Sequence, residues 1–130
     1  METRLYYFKT KITRVKDADT FVTGNINLGF NICMKPEIIR LYGVDAFETR
    51  RRKSTTVKMV KMFGDIDYVS KGKEATLFTI DLIQNKDVII HSREFRGNFG
   101  RIFADVSYKS GKTWKDLGKT LIKKGYAWSI

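Results

Sequence analysis

A period of two in the apolar residues limits most of this chain to strands. In Phe21-Val22-Thr23-Gly24-Asn25-Ile26-Asn27-Leu28 and again in Ile38-Ile39-Arg40-Leu41-Tyr42, β-branched or aromatic residues alternate with polar ones. Successive side chains of a strand point to opposite faces, so such alternation builds a sheet with one buried face. Val88-Ile89-Ile90-His91-Ser92 reads as a fourth strand. Ile102 to Tyr108 reads as a fifth, with Ile102, Ala104, Val106 and Tyr108 on one face. The first strand ends at Asp17. Gly24, Gly29 and Asn31 are turn or bulge positions.

The period changes after Gly72. Ala75, Phe78 and Leu82 recur at helical spacing, Glu74 falls in the first turn, and the helix should end near Gln84-Asn85. Thr113-Trp114-Lys115-Asp116 matches a capping box, and Leu117, Leu121 and Ile122 follow on the face of Trp114, with Gly125 as terminator. The expected architecture is α+β and mainly β. It is a five-stranded OB-fold barrel with one helix between the third and fourth strands and a C-terminal helix. A chain of 130 residues supports one core, so residues 1–130 are read as one domain.

Charge narrows the partners. There are 25 Lys and Arg against 14 Asp and Glu, a net of +11, on a chain that is 42% hydrophobic and 13% aromatic. That is too apolar for a disordered basic tail, so the charge sits on a folded body, where it favours polyanions. The apolar runs are strand-sized, which excludes a helical membrane span, and no basic amphipathic helix with a free apolar face is evident. Nucleic acid is the leading partner class. No secretory leader is visible, a single cysteine, Cys33, reads as a small buried hydrophobe, and a cytoplasmic monomer is the expectation.

Two acidic groups fall at strand ends: Asp17-Ala18-Asp19-Thr20, and Asp45-Ala46-Phe47-Glu48. Each is consistent with turn chemistry, or with oxygen ligands converging on a hard cation. Arg40 interrupts an apolar run five residues before Asp45, and Arg101 opens the last strand after Gly97-Asn98-Phe99-Gly100. An arginine in such a place is costly to bury without a partner. A phosphate gripped by the guanidinium would supply one, and so would an ion pair with Asp45 or Glu48.

Five blocks in this order resemble the staphylococcal-nuclease-like (thermonuclease) family: Val15-Lys16-Asp17-Ala18-Asp19-Thr20-Phe21, Ile39 to Glu48, Gly72-Lys73-Glu74-Ala75, Phe99-Gly100-Arg101-Ile102, and Leu121 to Ala127. The resemblance runs from about Ile12 to Trp128. It implies an OB-fold and a Ca²⁺-dependent endonuclease, a phosphodiesterase that cuts DNA and RNA with little sequence preference. By the same resemblance Asp19, Asp45 and the backbone carbonyl of Ala46 bind the metal, with Ca²⁺ ahead of Mg²⁺ or Mn²⁺. Glu48 activates or positions the attacking water, and Arg40 and Arg101 bind phosphate. Ala18 stands where Gly is usual and Phe99 where many members carry Tyr. Phe47 stands in place of a Pro, which removes a fixed φ from the turn that aims Glu48.

The segment at about 49–72 is longer than in the best-known member. From Thr49 to Lys73 it carries eight basic residues against two acidic, a net of +6. It reads as a mobile basic loop able to hold a short helix, with Arg50, Arg51, Arg52 and Lys53 clamping the nucleic-acid backbone beside Phe99. The lysines around the last helix read as a solvated face that can extend a binding surface. His91 reads as an ordinary strand residue. The rival function is a non-catalytic OB-fold protein that binds single-stranded nucleic acid.

Overall fold

The strand Arg101–Ser110 alternates almost perfectly between half-exposed and buried residues, and it buries Ile102, Ala104, Val106 and Tyr108 as the period of two requires. Around it the computed structural model describes residues 6–50, 53–64, 67–96 and 100–130, and of residues 95 and 96 only the backbone. The elements in chain order are β1 Tyr7–Asp17, β2 Thr20–Thr23, β3 Ile26–Gly29, β4 Ile32–Met34, β5 Ile38–Leu41, β6 Val44–Ala46, α1 Lys53–Phe63 and α2 Tyr68–Ile83. They continue with β7 Asp87–Arg96, β8 Arg101–Ser110, β9 Thr113–Asp116, α3 Leu117–Lys123 and β10 Ala127–Ser129.

Five of these strands close on themselves in the order β1-β2-β5-β8-β7 and back to β1. Every pairing is antiparallel except β5 with β8, which is parallel. This is the OB-type barrel expected from the alternation. Closure depends on β1, whose first half pairs with β7 and whose second half pairs with β2. Register shifts between Ile12 and Arg14 and between Val15 and Asp17 bend it through that corner. The core inside is centred on Ile12, Phe21, Ile26, Ile39, Ile90 and Val106, each at most 1% exposed. Burial of each such side chain contributes roughly 1.5–3 kcal/mol.

Several expectations change in detail. The second predicted strand breaks at Gly24-Asn25 into β2 and β3, and β3 forms a hairpin with β4 whose turn holds Gly29, Phe30 and Asn31 at φ of 91°, 54° and 62°. Cys33 lies on this exposed hairpin and not in the core. The predicted loop after Thr49 is largely helical, because α1 spans 11 residues and the first turn of α2 begins at Tyr68, capped by Asp67, which accepts from the Ser70 amide. The capping residue of α3 is Asp116, bonded to the Lys119 amide, so Thr113 and Trp114 belong to β9 and Trp114 is 41% exposed. The Asp116 carboxylate, within reach of the Lys119 amide, takes the capping role expected of Thr113. Gly125, with φ 78°, ends α3 as expected.

Candidate functional site

Three junctions of the barrel converge. Asp19 lies in the turn between β1 and β2, Arg40 on β5 opposite Thr20, and Arg101 at the first position of β8. Asp45 is the central residue of β6, opposite Trp128 of β10, and Glu48 follows two residues after that strand. Asp19, Arg40, Asp45, Ala46, Glu48 and Arg101 line one cavity of about 190 Å³, together with Asp17, Thr20 and Phe47.

Arg40 is the hub. Its guanidinium donates to the Val44 carbonyl at 2.7 Å and to the Leu41 carbonyl at 3.2 Å, which fixes its plane against the β5–β6 turn. The same group meets Asp19 Oδ2 at 3.3 Å and Asp45 Oδ1 at 3.0 Å. The ion pair with Asp45 is therefore present, joined by Asp19 and not by Glu48. A half-buried arginine so compensated is tolerable where an unpaired one is costly.

Asp19 is 7% exposed. Its Oδ2 accepts the Ala46 amide and its Oδ1 accepts the Thr20 hydroxyl, both at 3.0 Å. Burial nevertheless pushes its carboxyl up from 3.8 to about 6, against the opposing pull of Arg40, the Ala46 amide and Thr20, and Asp45 nearby adds to the rise. Arg40 and the two hydrogen bonds thus offset only part of what burial costs this carboxylate.

The donor set suits a hard divalent cation. Two carboxylates, Asp19 from the β1–β2 turn and Asp45 from β6, share one guanidinium, and the cavity they line has room for water. Among the described residues no three His, Cys, Asp or Glu side chains form a metal cluster, so protein side chains would supply two ligands and water much of the rest.

Glu48 is positioned by its backbone. A Cβ at Gly72 would stand 2.1 Å from the Glu48 carbonyl oxygen and 2.8 Å from that of Phe47, so α2 can lie against this turn only with glycine there. Thr49, next in sequence, donates its hydroxyl to Asp17 Oδ1 at 3.1 Å and ties the turn to the end of β1. Phe47 also has a role that the missing proline did not suggest. It is 4% exposed, with ring centroids 5.3 Å from Phe63 and 5.0 Å from Trp128, and it anchors α1 in a small core with Met59 and Tyr68. Burial holds the turn where a fixed φ would otherwise do so. Ala18 is fully buried without a positive φ, so glycine is not required there.

The docked helix brings in a residue that sequence reasoning did not single out. Lys58 Nζ sits 3.1 Å from Asp45 Oδ2. Its only sequence signal was membership of the basic segment. Arg14 and Lys16 were likewise passed over. They line a neighbouring cavity of about 460 Å³ with Arg50, which shares Asp17 and Glu48 with the first. Of the other proposed clamp residues, Lys53 opens α1, exposed and lining neither cavity. Arg51, Arg52 and Phe99 lie outside the described residues. His91 stacks on Tyr7 at 4.1 Å and pairs through Nδ1 with Asp105 at 3.4 Å, a strand-face role.

Among the described residues no helix is long and apolar enough to cross a membrane. No sequence among the curated proteins matches the chain. The family model described as staphylococcal nuclease homologue matches residues 38–130, a segment that holds Arg40, Asp45, Glu48 and Arg101 and begins after Asp19. With most of its length covered by that match, the chain belongs to the family of staphylococcal nuclease homologues.

Proposed function

We propose that the protein is a metal-dependent nuclease that hydrolyses phosphodiester bonds of DNA or RNA with little sequence preference, using Ca²⁺. The observation that carries this reading is the single cavity in which Asp19, Asp45 and Glu48 face Arg40 and Arg101. Asp19 and Asp45 would hold the cation, with the Ala46 carbonyl as a further ligand. Bound there, the ion would supply Lewis acidity toward a phosphate oxygen. Arg40 and Arg101 would bind the non-bridging oxygens and strengthen those bonds as charge develops, the kind of fixed electrostatic stabilisation that dominates many active sites. Glu48, held by the contact of its backbone with Gly72, would accept a proton from the attacking water, a contribution of roughly 10²–10⁴-fold.

One observation favours the second reading, a protein that binds single-stranded nucleic acid without cutting it. Both oxygens of Asp45 and one of Asp19 already have cationic partners within the chain, in Arg40 and Lys58. An assay on single-stranded DNA, double-stranded DNA and RNA with Ca²⁺, Mg²⁺ or EDTA separates the two. The nuclease reading expects cleavage that EDTA abolishes and that Glu48→Ala and Arg101→Ala each lower at least about a hundredfold. Tight binding with no cleavage in any metal would establish the binder.

A further inference from the structure

The most basic groove away from this cavity lies at the other end of β8. Arg101 opens that strand at the cavity, and Tyr108 follows seven residues later, about 23 Å away at roughly 3.3 Å per residue. There α2 and α3 flank a groove of about 700 Å³, walled by Phe78 and Leu82 and rimmed by Lys115, Lys119, Lys123 and Lys124. A cavity of about 300 Å³ shares Leu82 and Tyr108 with it and extends it toward Lys86, Lys109 and Trp114.

The rim lysines are exposed, and among the described residues none of the four forms an ion pair. The carboxylates among the lining residues are Asp116 and Asp87, and Asp116 already accepts the Lys119 amide as the cap of α3. Like charges converging on one groove raise the energy of the free protein and create a field for a polyanion. Aromatic faces accompany them. Trp114 is 41% exposed, and Phe78 is backed by Tyr126 at 5.3 Å with Lys124 Nζ 5.9 Å above its ring. Lysines along a groove with aromatic surfaces at its wall and end match the recognition of single-stranded nucleic acid by phosphate contact and stacking.

We propose that this groove is a second nucleic-acid contact, which holds the sugar-phosphate backbone of a substrate strand remote from the phosphate to be cut. The inference rests on the nucleic-acid reading above and adds to it a dependence on strand length. A short oligonucleotide reaches one site only, whereas a longer strand engages both.

Binding of fluorescent oligonucleotides in EDTA tests this without any cleavage. The variants are Lys115→Gln with Lys119→Gln, Lys123→Gln with Lys124→Gln, and all four together, with circular dichroism to check folding. The surface doubles keep the test open where the quadruple folds poorly. Lengths of about 4 and about 16 nucleotides bracket the site sizes of OB-type folds. The quadruple variant is expected to bind the long strand about tenfold more weakly, with a salt slope shallower by up to about 3 at roughly 0.7 per lost phosphate contact, and the short one as wild type does. Unchanged long-strand binding overturns the groove. An equal loss at both lengths also overturns it, since the lysines would then act only through the general field. Wild-type binding to phosphatidylserine vesicles in preference to the long strand, lost in the variants, overturns it in favour of a membrane. Absence of metal-dependent cleavage would defeat the nuclease reading and leave these outcomes untouched.

Discussion

The ammonium of Lys58, on helix α1, stands 3.1 Å from Oδ2 of Asp45, a proposed metal ligand. Arg40 holds the other oxygen of that carboxylate at 3.0 Å. A cation entering beside Asp45 has to displace or tolerate Lys58. Lys58→Met is therefore expected to tighten Ca²⁺ binding several-fold in isothermal titration calorimetry, because one competing positive charge is removed. The pair is half-exposed, so stability should change by no more than about 1 kcal/mol. Unchanged or weaker Ca²⁺ binding would show that Lys58 does not compete for the site.

Phe47 couples that helix to the site. Phe47→Ala removes the ring that touches both Phe63 and Trp128, at a cost of about 3 kcal/mol in line with buried Phe-to-Ala changes. Hydrogen exchange should then accelerate through residues 53–63 while the amides of β7 and β8 keep their protection. Uniform acceleration across the barrel would contradict a local anchoring role.

Gly72 sets the height of the Glu48 turn. Gly72→Ala places a methyl where the Glu48 carbonyl now lies, so helix and turn must separate. The expected loss is roughly 1–3 kcal/mol, typical of overpacking, together with a fall in any Glu48-dependent cleavage well beyond that of a Gly64→Ala control. A variant as stable and as active as wild type would mean that the turn adapts freely.

Asp19 gives a pH signature. Its carboxyl is raised from 3.8 to about 6 in the folded protein, so the folded state retains a proton that the unfolded state releases between those values. The sign is destabilising. Stability falls as pH rises from about 4 to about 6, by about 3 kcal/mol at most, and the deficit persists above that range. In EDTA, the stability difference between Asp19→Asn and wild type should shift in favour of the variant by up to about 3 kcal/mol as pH rises from below 4 to above 6. Thermal melts across that range read the difference directly, and a flat difference would remove the claim that burial of Asp19 outweighs its partners.

Much of the barrel was legible because its signals are local. Ile102, Ala104, Val106 and Tyr108 alternate within one strand, and Gly125 stands where a left-handed residue ends a helix, so neighbours in sequence suffice to place them. Of the site, Arg40 stood out locally as a charge inside an apolar run. The joining of Asp19, Asp45, Glu48 and Arg101 to it came from the order of motifs that resembles the family, since each acidic group alone is equally consistent with a turn. Trp114 and Cys33 were misplaced for the opposite reason. Hydrophobic character alone does not distinguish a core position from an exposed edge strand or hairpin, which depends on what packs above it.

By itself the sequence determined the strand alternation, the excess of positive charge and the identity of the charged groups available for a site. Only the tertiary structure decided that Arg40 bridges Asp19 and Asp45, that Phe47 docks α1, and that Lys58 reaches Asp45. These relationships join residues through the closure of a barrel and the burial of an aromatic cluster. Their energies depend on distance and desolvation in three dimensions, which no local pattern of residues encodes.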